Sequence, residues 1–66
     1  MKLTVDEKAD ALYLRLNEAA IVESEEVQAG VILDYDAHGR VVGVELLGIK
    51  ARAAGQSLRE LLFQNI

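Results

Sequence analysis

The stretch DYDAHGRVVGVE, Asp34 to Glu45, supports two incompatible readings. An EF-hand calcium loop wants acids at its first and third positions, glycine at the sixth and glutamate at the twelfth. Asp34, Asp36, Gly39 and Glu45 stand at those places, and His38 breaks the pattern at the fifth. Such a loop, however, is held between two helices. Its flanks here are VILDYD and VVGVELL, dense in valine, isoleucine and glycine, which make poor helices; the β-branched residues favour strands. The stretch is therefore expected to be a β-hairpin, and a cation site on Asp34, Asp36 and Glu45 is the competing use of the same carboxylates.

Register sharpens that expectation. Along Val31–Asp36, Val31, Leu33 and Tyr35 share one face and Ile32, Asp34 and Asp36 the other. Along Val41–Leu47, Val42, Val44 and Leu46 oppose Val41, Gly43, Glu45 and Leu47. Directly paired residues of an antiparallel ladder project to the same side. Matching the apolar faces pairs Val31 with Leu46, Leu33 with Val44 and Tyr35 with Val42. That leaves a two-residue loop at His38-Gly39 or a four-residue one over Ala37–Arg40. A three-residue turn with a glycine bulge shifts the register by one and spoils the match, unless that bulge itself absorbs the slip.

Outward from the hairpin, the chain is a series of short apolar runs without proline. KLTV reads as a first strand and ALYLRL as a second, with Leu12, Leu14 and Leu16 on one side and Tyr13 and Arg15 on the other. A helix competes for that segment, since Asp6 is able to cap one and Ala9, Leu12 and Leu16 fit helical spacing. AIVESEEV is a third strand with an acidic middle, and Gly30 in QAG supplies a turn. Toward the end, Ala51–Ala54 suits a helical turn closed by Gly55. Ser57 and Glu60 form a capping box, and Leu58, Leu61, Leu62 and Ile66 follow at helical spacing. The sum is an α+β domain over residues 1–66: an antiparallel β-meander of about five strands with a C-terminal α-helix packed on one face.

Composition bounds the function. A chain of 66 residues buries a small share of its surface, and with no cysteine it has neither disulfides nor thiolate metal sites to compensate. Its hydrophobic content of 52% is generous for that length, which points to a homodimer that covers apolar surface. The formal charge is −4, and Glu18, Glu23, Glu25, Glu26, Asp34, Asp36 and Glu45 face one base, Arg40, within that span. Such a surface repels phosphate backbones and suits a basic protein partner. No run reaches membrane-spanning length, and MKLTVDEKAD turns polar after Val5, so a cytoplasmic protein is expected.

Candidates for chemistry are few. His38 is the lone histidine and falls at a loop tip. Ser24 and Ser57 lack a histidine neighbour, and Ser57 already has a capping role. Tyr13 and Tyr35 lie on strands, where packing is the ordinary use. The glycines are too scattered to cradle a phosphate. No catalytic residue, cofactor or metal ligand is therefore assigned.

The stretches VDEKADALYLRL, ESEEVQAGVILDYD and DAHGRVVGVELLGIKAR together resemble the domain of unknown function family 2283, a set of small prokaryotic proteins. The resemblance implies a strand rather than a helix at ALYLRL. Relatives tend to carry aspartate or asparagine where this chain has His38, a departure that bears on metal binding and not on the hairpin. Some such proteins look like antitoxin-type partners. The expected function is thus a noncatalytic, homodimeric protein-binding module, antitoxin-like in its concrete form. The alternatives are a metal-dependent or enzymatic module using Asp34, Asp36 and Glu45, and a structural oligomer without a ligand.

Overall fold

A computed structural model of the chain describes residues 1–53, and the expected helix with its Ser57–Glu60 capping box lies outside the described residues. Five strands form one antiparallel sheet: β1 (Lys2–Asp6), β2 (Ala11–Arg15), β3 (Glu23–Gln28), β4 (Val31–Tyr35) and β5 (Val41–Leu47). The order across the sheet is β1-β2-β5-β4-β3. Two units meet there: the β1–β2 hairpin, and a three-stranded meander whose last strand pairs with β2. A short helix, α1 (Ile49–Arg52), follows β5. The α+β architecture and the strand at ALYLRL are as expected. Strand β3 begins at Glu23 rather than Ala20, because Leu16–Val22 must carry the chain from β2 past β5 and β4. Three strand spacings of about 4.8 Å have to be covered, and the segment bonds to the sheet backbone at its ends, Leu16 to the Val42 carbonyl and Val22 to that of Tyr35.

The register sorts the side chains into rows. Leu3, Leu14, Val44 and Leu33 stand side by side, as do Val5, Leu12, Leu46 and Val31. These eight define an apolar face. The opposite face carries the rows Lys2, Arg15, Gly43, Asp34, Ser24 and Thr4, Tyr13, Glu45, Ile32, Glu26. The apolar rows nonetheless remain partly or largely open: among the described residues only Val42 and Ile49 are buried hydrophobics.

The β4–β5 hairpin departs from expectation in one respect. Val31 pairs with Leu46 and Leu33 with Val44 as expected, but Tyr35 pairs with Val41, not Val42. The loop is the three-residue one, Ala37–Gly39. The Asp36 amide donates to the Arg40 carbonyl at 2.9 Å, and Gly39 donates back to the Asp36 carbonyl at 3.1 Å. Gly39 holds φ at 76°, which a side chain would oppose. The slip of one residue is absorbed between Asp34 and Tyr35, where Val42 becomes the extra residue of β5. Val42 is fully enclosed at 0% exposure, and its carbonyl accepts from Leu16 at 2.8 Å. Its burial contributes roughly 1.5–3 kcal/mol.

Two turns and α1 close one end of the sheet. Asp6, a helix cap in the competing sequence reading, instead accepts from the Ala9 amide at 3.0 Å and tightens the β1–β2 turn. Asp10 sits at φ 55°, the one described non-glycine residue in the left-handed region. Its carbonyl accepts from Ile49 at 3.2 Å and its carboxylate from the Lys50 amide at 3.1 Å, so it caps α1 from another element. Arg52 donates through Nε to the Leu47 carbonyl at 3.0 Å and through a terminal nitrogen to Ala29, tying α1 to the β3–β4 turn. Asp10→Ala removes both the cap and the tolerance for positive φ, and is expected to cost roughly 1–2 kcal/mol in chemical denaturation. Asp10→Asn retains both properties and should cost clearly less.

Candidate functional site

The most organised side-chain cluster lies on the polar face, where Tyr13 of β2 leans across β5 toward β4. Its hydroxyl donates to Asp34 Oδ2 at 2.7 Å, and Ser24 of β3 donates to Asp34 Oδ1 at 2.6 Å. One carboxylate thus links β2, β4 and β3 over the backbone of β5. Gly43 makes this crossing possible. A Cβ there would stand 2.8 Å from Asp34 Oδ2 and 3.1 Å from Tyr13 Cζ, and would strike the Tyr13 hydroxyl. The hydrogen bond to Asp34 pushes the Tyr13 pKa up, with burial and the Asp34 charge adding to it and Arg15 opposing. A raised tyrosine pKa contributes stability below about pH 10 and loses it as pH climbs through the folded value. Beside the cluster, Arg15 donates to the Ala19 carbonyl and its other terminal nitrogen is enclosed without a partner among the described residues.

Asp36 occupies a different place. It is buried and accepts from the amides of His38 at 2.9 Å and Arg40 at 3.0 Å, and from Arg40 Nε at 3.1 Å. The Arg40 amide is the leading cause that holds its pKa down, with the His38 amide and the Arg40 guanidinium reinforcing it against desolvation. Arg40 itself is 72% exposed, so the ion pair adds little beyond these hydrogen bonds. Asp36 builds the loop. His38 is exposed at its tip.

The three carboxylates of the metal hypothesis are therefore not assembled. Asp34 and Glu45 do share a face, opposite Gly43 and Ile32 respectively, but Asp36 is committed to its own turn. Among the described residues no group of three or more histidine, cysteine, aspartate or glutamate side chains is placed to hold a metal ion. Glu45 instead lines a cavity of about 360 Å³ over β1, β2 and β5, together with Thr4, Asp6, Ala11, Tyr13 and Leu47. The Tyr13–Asp34–Ser24 link was not foreseen, because it depends on β2 lying beside β5 rather than beside β3. Tyr35 is half-buried in β4. No described helix is long and apolar enough to cross a membrane.

Fold and clusters together define a small antiparallel-sheet protein in which Asp34 bonds to side chains of two other strands and Asp36 to its own turn. The family model for a protein of unknown function, DUF2283, matches residues 2–50, from β1 into α1. The chain belongs to that family. No curated protein and no solved structure matches it.

Gly43→Ala is expected to destabilise the chain by roughly 1–3 kcal/mol through overpacking. Tyr13→Phe removes the struck hydroxyl, so the double variant should lose less than the sum of the single losses in a denaturation cycle. Asp36→Ala should lower the melting temperature at neutral pH. The wild type's advantage over it is full above about pH 4 and fades as pH falls through the depressed Asp36 value. An advantage that stays constant down to strong acid would assign the loop's stability elsewhere.

Proposed function

We propose that this chain is a noncatalytic protein-binding module that works as a homodimer in the cytoplasm and engages a basic protein partner. The supporting observation is the sheet's division of labour: eight apolar side chains share one face, yet none of them is among the buried residues. A continuous apolar face that is left partly open suits a protein contact. The acidic strand β3, with Glu23, Glu25 and Glu26 exposed at the sheet's margin, favours a partner of positive charge and disfavours nucleic acid. Masking a basic protein in the manner of an antitoxin is the most concrete form of this function. Against catalysis stands the commitment of Asp34 and Asp36 to structural hydrogen bonds.

Two measurements bear on it. Copurification from the native host is expected to recover a basic protein in stoichiometric amount, and repeated recovery of none would contradict the binding role. Calcium, magnesium and manganese at millimolar concentration are expected to leave the melting temperature unmoved. A saturating rise with any of them would favour the metal-dependent alternative, because a ligand of the folded state stabilises it by mass action.

A further inference from the structure

We propose that β1 is a self-complementary edge through which two copies of this chain join into one ten-stranded sheet. This deepens the homodimer part of the function proposed above and rests on it. Among the described residues the sheet has two edges, β1 and β3, and each leaves alternate backbone N–H and C=O groups without a strand partner. They differ in how they resist pairing. Strand β3 is exposed throughout, slips register between Glu26 and Gln28, and carries Glu23, Glu25 and Glu26. A two-fold axis through Ser24 sets Glu23 on Glu25, and one through Glu23, Glu25 or Glu26 sets that glutamate on its own copy. Like charges directly opposite destabilise a ladder. Edge β3 is defended against its twin.

Edge β1 is not. Its five residues KLTVD pair with β2 without a slip, and contain neither glycine nor proline. A two-fold axis through Thr4 places Lys2 opposite Asp6 of the second copy, Leu3 opposite its Val5, and Thr4 opposite Thr4, with the first two pairs repeated by symmetry. Two opposite-charge pairs and two apolar pairs result. Axes through Leu3 or Val5 give fewer pairs and lose the charge match. Leu3 is 44% exposed and Val5 half-buried, so the apolar pairs gain from the contact. An axis perpendicular to the sheet also keeps both apolar faces on the same side. The Leu3–Leu14–Val44–Leu33 row then runs on into the Val5–Leu12–Leu46–Val31 row of the second copy, doubling the platform offered to a partner.

The test is sedimentation equilibrium of the 66-residue chain, with circular dichroism to verify folding. Wild type is expected to be a dimer. Lys2→Glu sets like charges opposite one another twice, and its dimer dissociation constant should rise roughly tenfold or more. Asp6→Lys should do the same, and an equal mixture of the two variants should form a heterodimer in which each supplies the charge the other lacks. Asp6→Lys also loses the bond to Ala9. If that variant does not fold, salt dependence decides instead: added salt should weaken the wild-type dimer and strengthen that of Lys2→Glu. A monomeric wild type overturns both the edge and the homodimer. A dimer indifferent to Lys2→Glu and to salt overturns the edge alone.

Discussion

The alternation of side chains along β5 is the constraint on which the rest of this small protein depends. Strand β5 is the centre of the sheet, joining the β1–β2 hairpin to the meander. Val44 and Leu46 commit one face to apolar neighbours on both sides, while on the other Gly43 lies between Arg15 and Asp34, and Glu45 between Tyr13 and Ile32. A one-residue slip would exchange the two sets, which is why the three-residue turn at Ala37–Gly39 has to be balanced at Val42. The irregularity is thus a consequence of keeping the faces sorted, and it places the most enclosed side chain of the described residues at the slip itself.

Gly43 shows how that constraint reaches the polar face. A residue without a side chain at the middle of the central strand leaves a gap, and Tyr13 fills it to reach Asp34. Hydrogen bonds from Tyr13 and Ser24 then hold β2, β4 and β3 in one register from above, while the apolar rows do so from below. Asp36 performs the equivalent work within the loop. Carboxylates that would be reactive or metal-binding in a cleft are spent here on shape, and that expenditure is what directs the functional interpretation toward surfaces.

Much of the fold was legible because strands with one apolar side announce themselves by a period of two. VILDYD and VVGVELL were identifiable as a hairpin, and two of three predicted apolar pairs, Val31–Leu46 and Leu33–Val44, are present. The third failed at Tyr35 because turn length is decided by backbone geometry at Ala37–Gly39, on which hydrophobic matching is silent. Asp6 was recognisable as a capping residue, but the same oxygen closes a helix start or a hairpin turn, and only the tertiary pairing of β1 with β2 selects between them. Less of the site was legible. Asp34 was marked for its charge, yet its partners Tyr13 and Ser24 lie 21 and 10 residues away. They meet it only because β2 and β3 flank the β4–β5 pair from opposite sides. Nothing local encodes that order.

Amide hydrogen exchange across the chain tests this arrangement most directly, since protection follows pairing on both sides of a strand. The sheet order and its sorted faces predict the slowest exchange in Val42–Leu46 of β5, and the fastest strand exchange in Glu23–Gln28 at the acidic margin. Rapid exchange through β5, or greater protection in β3 than in β5, would contradict the account.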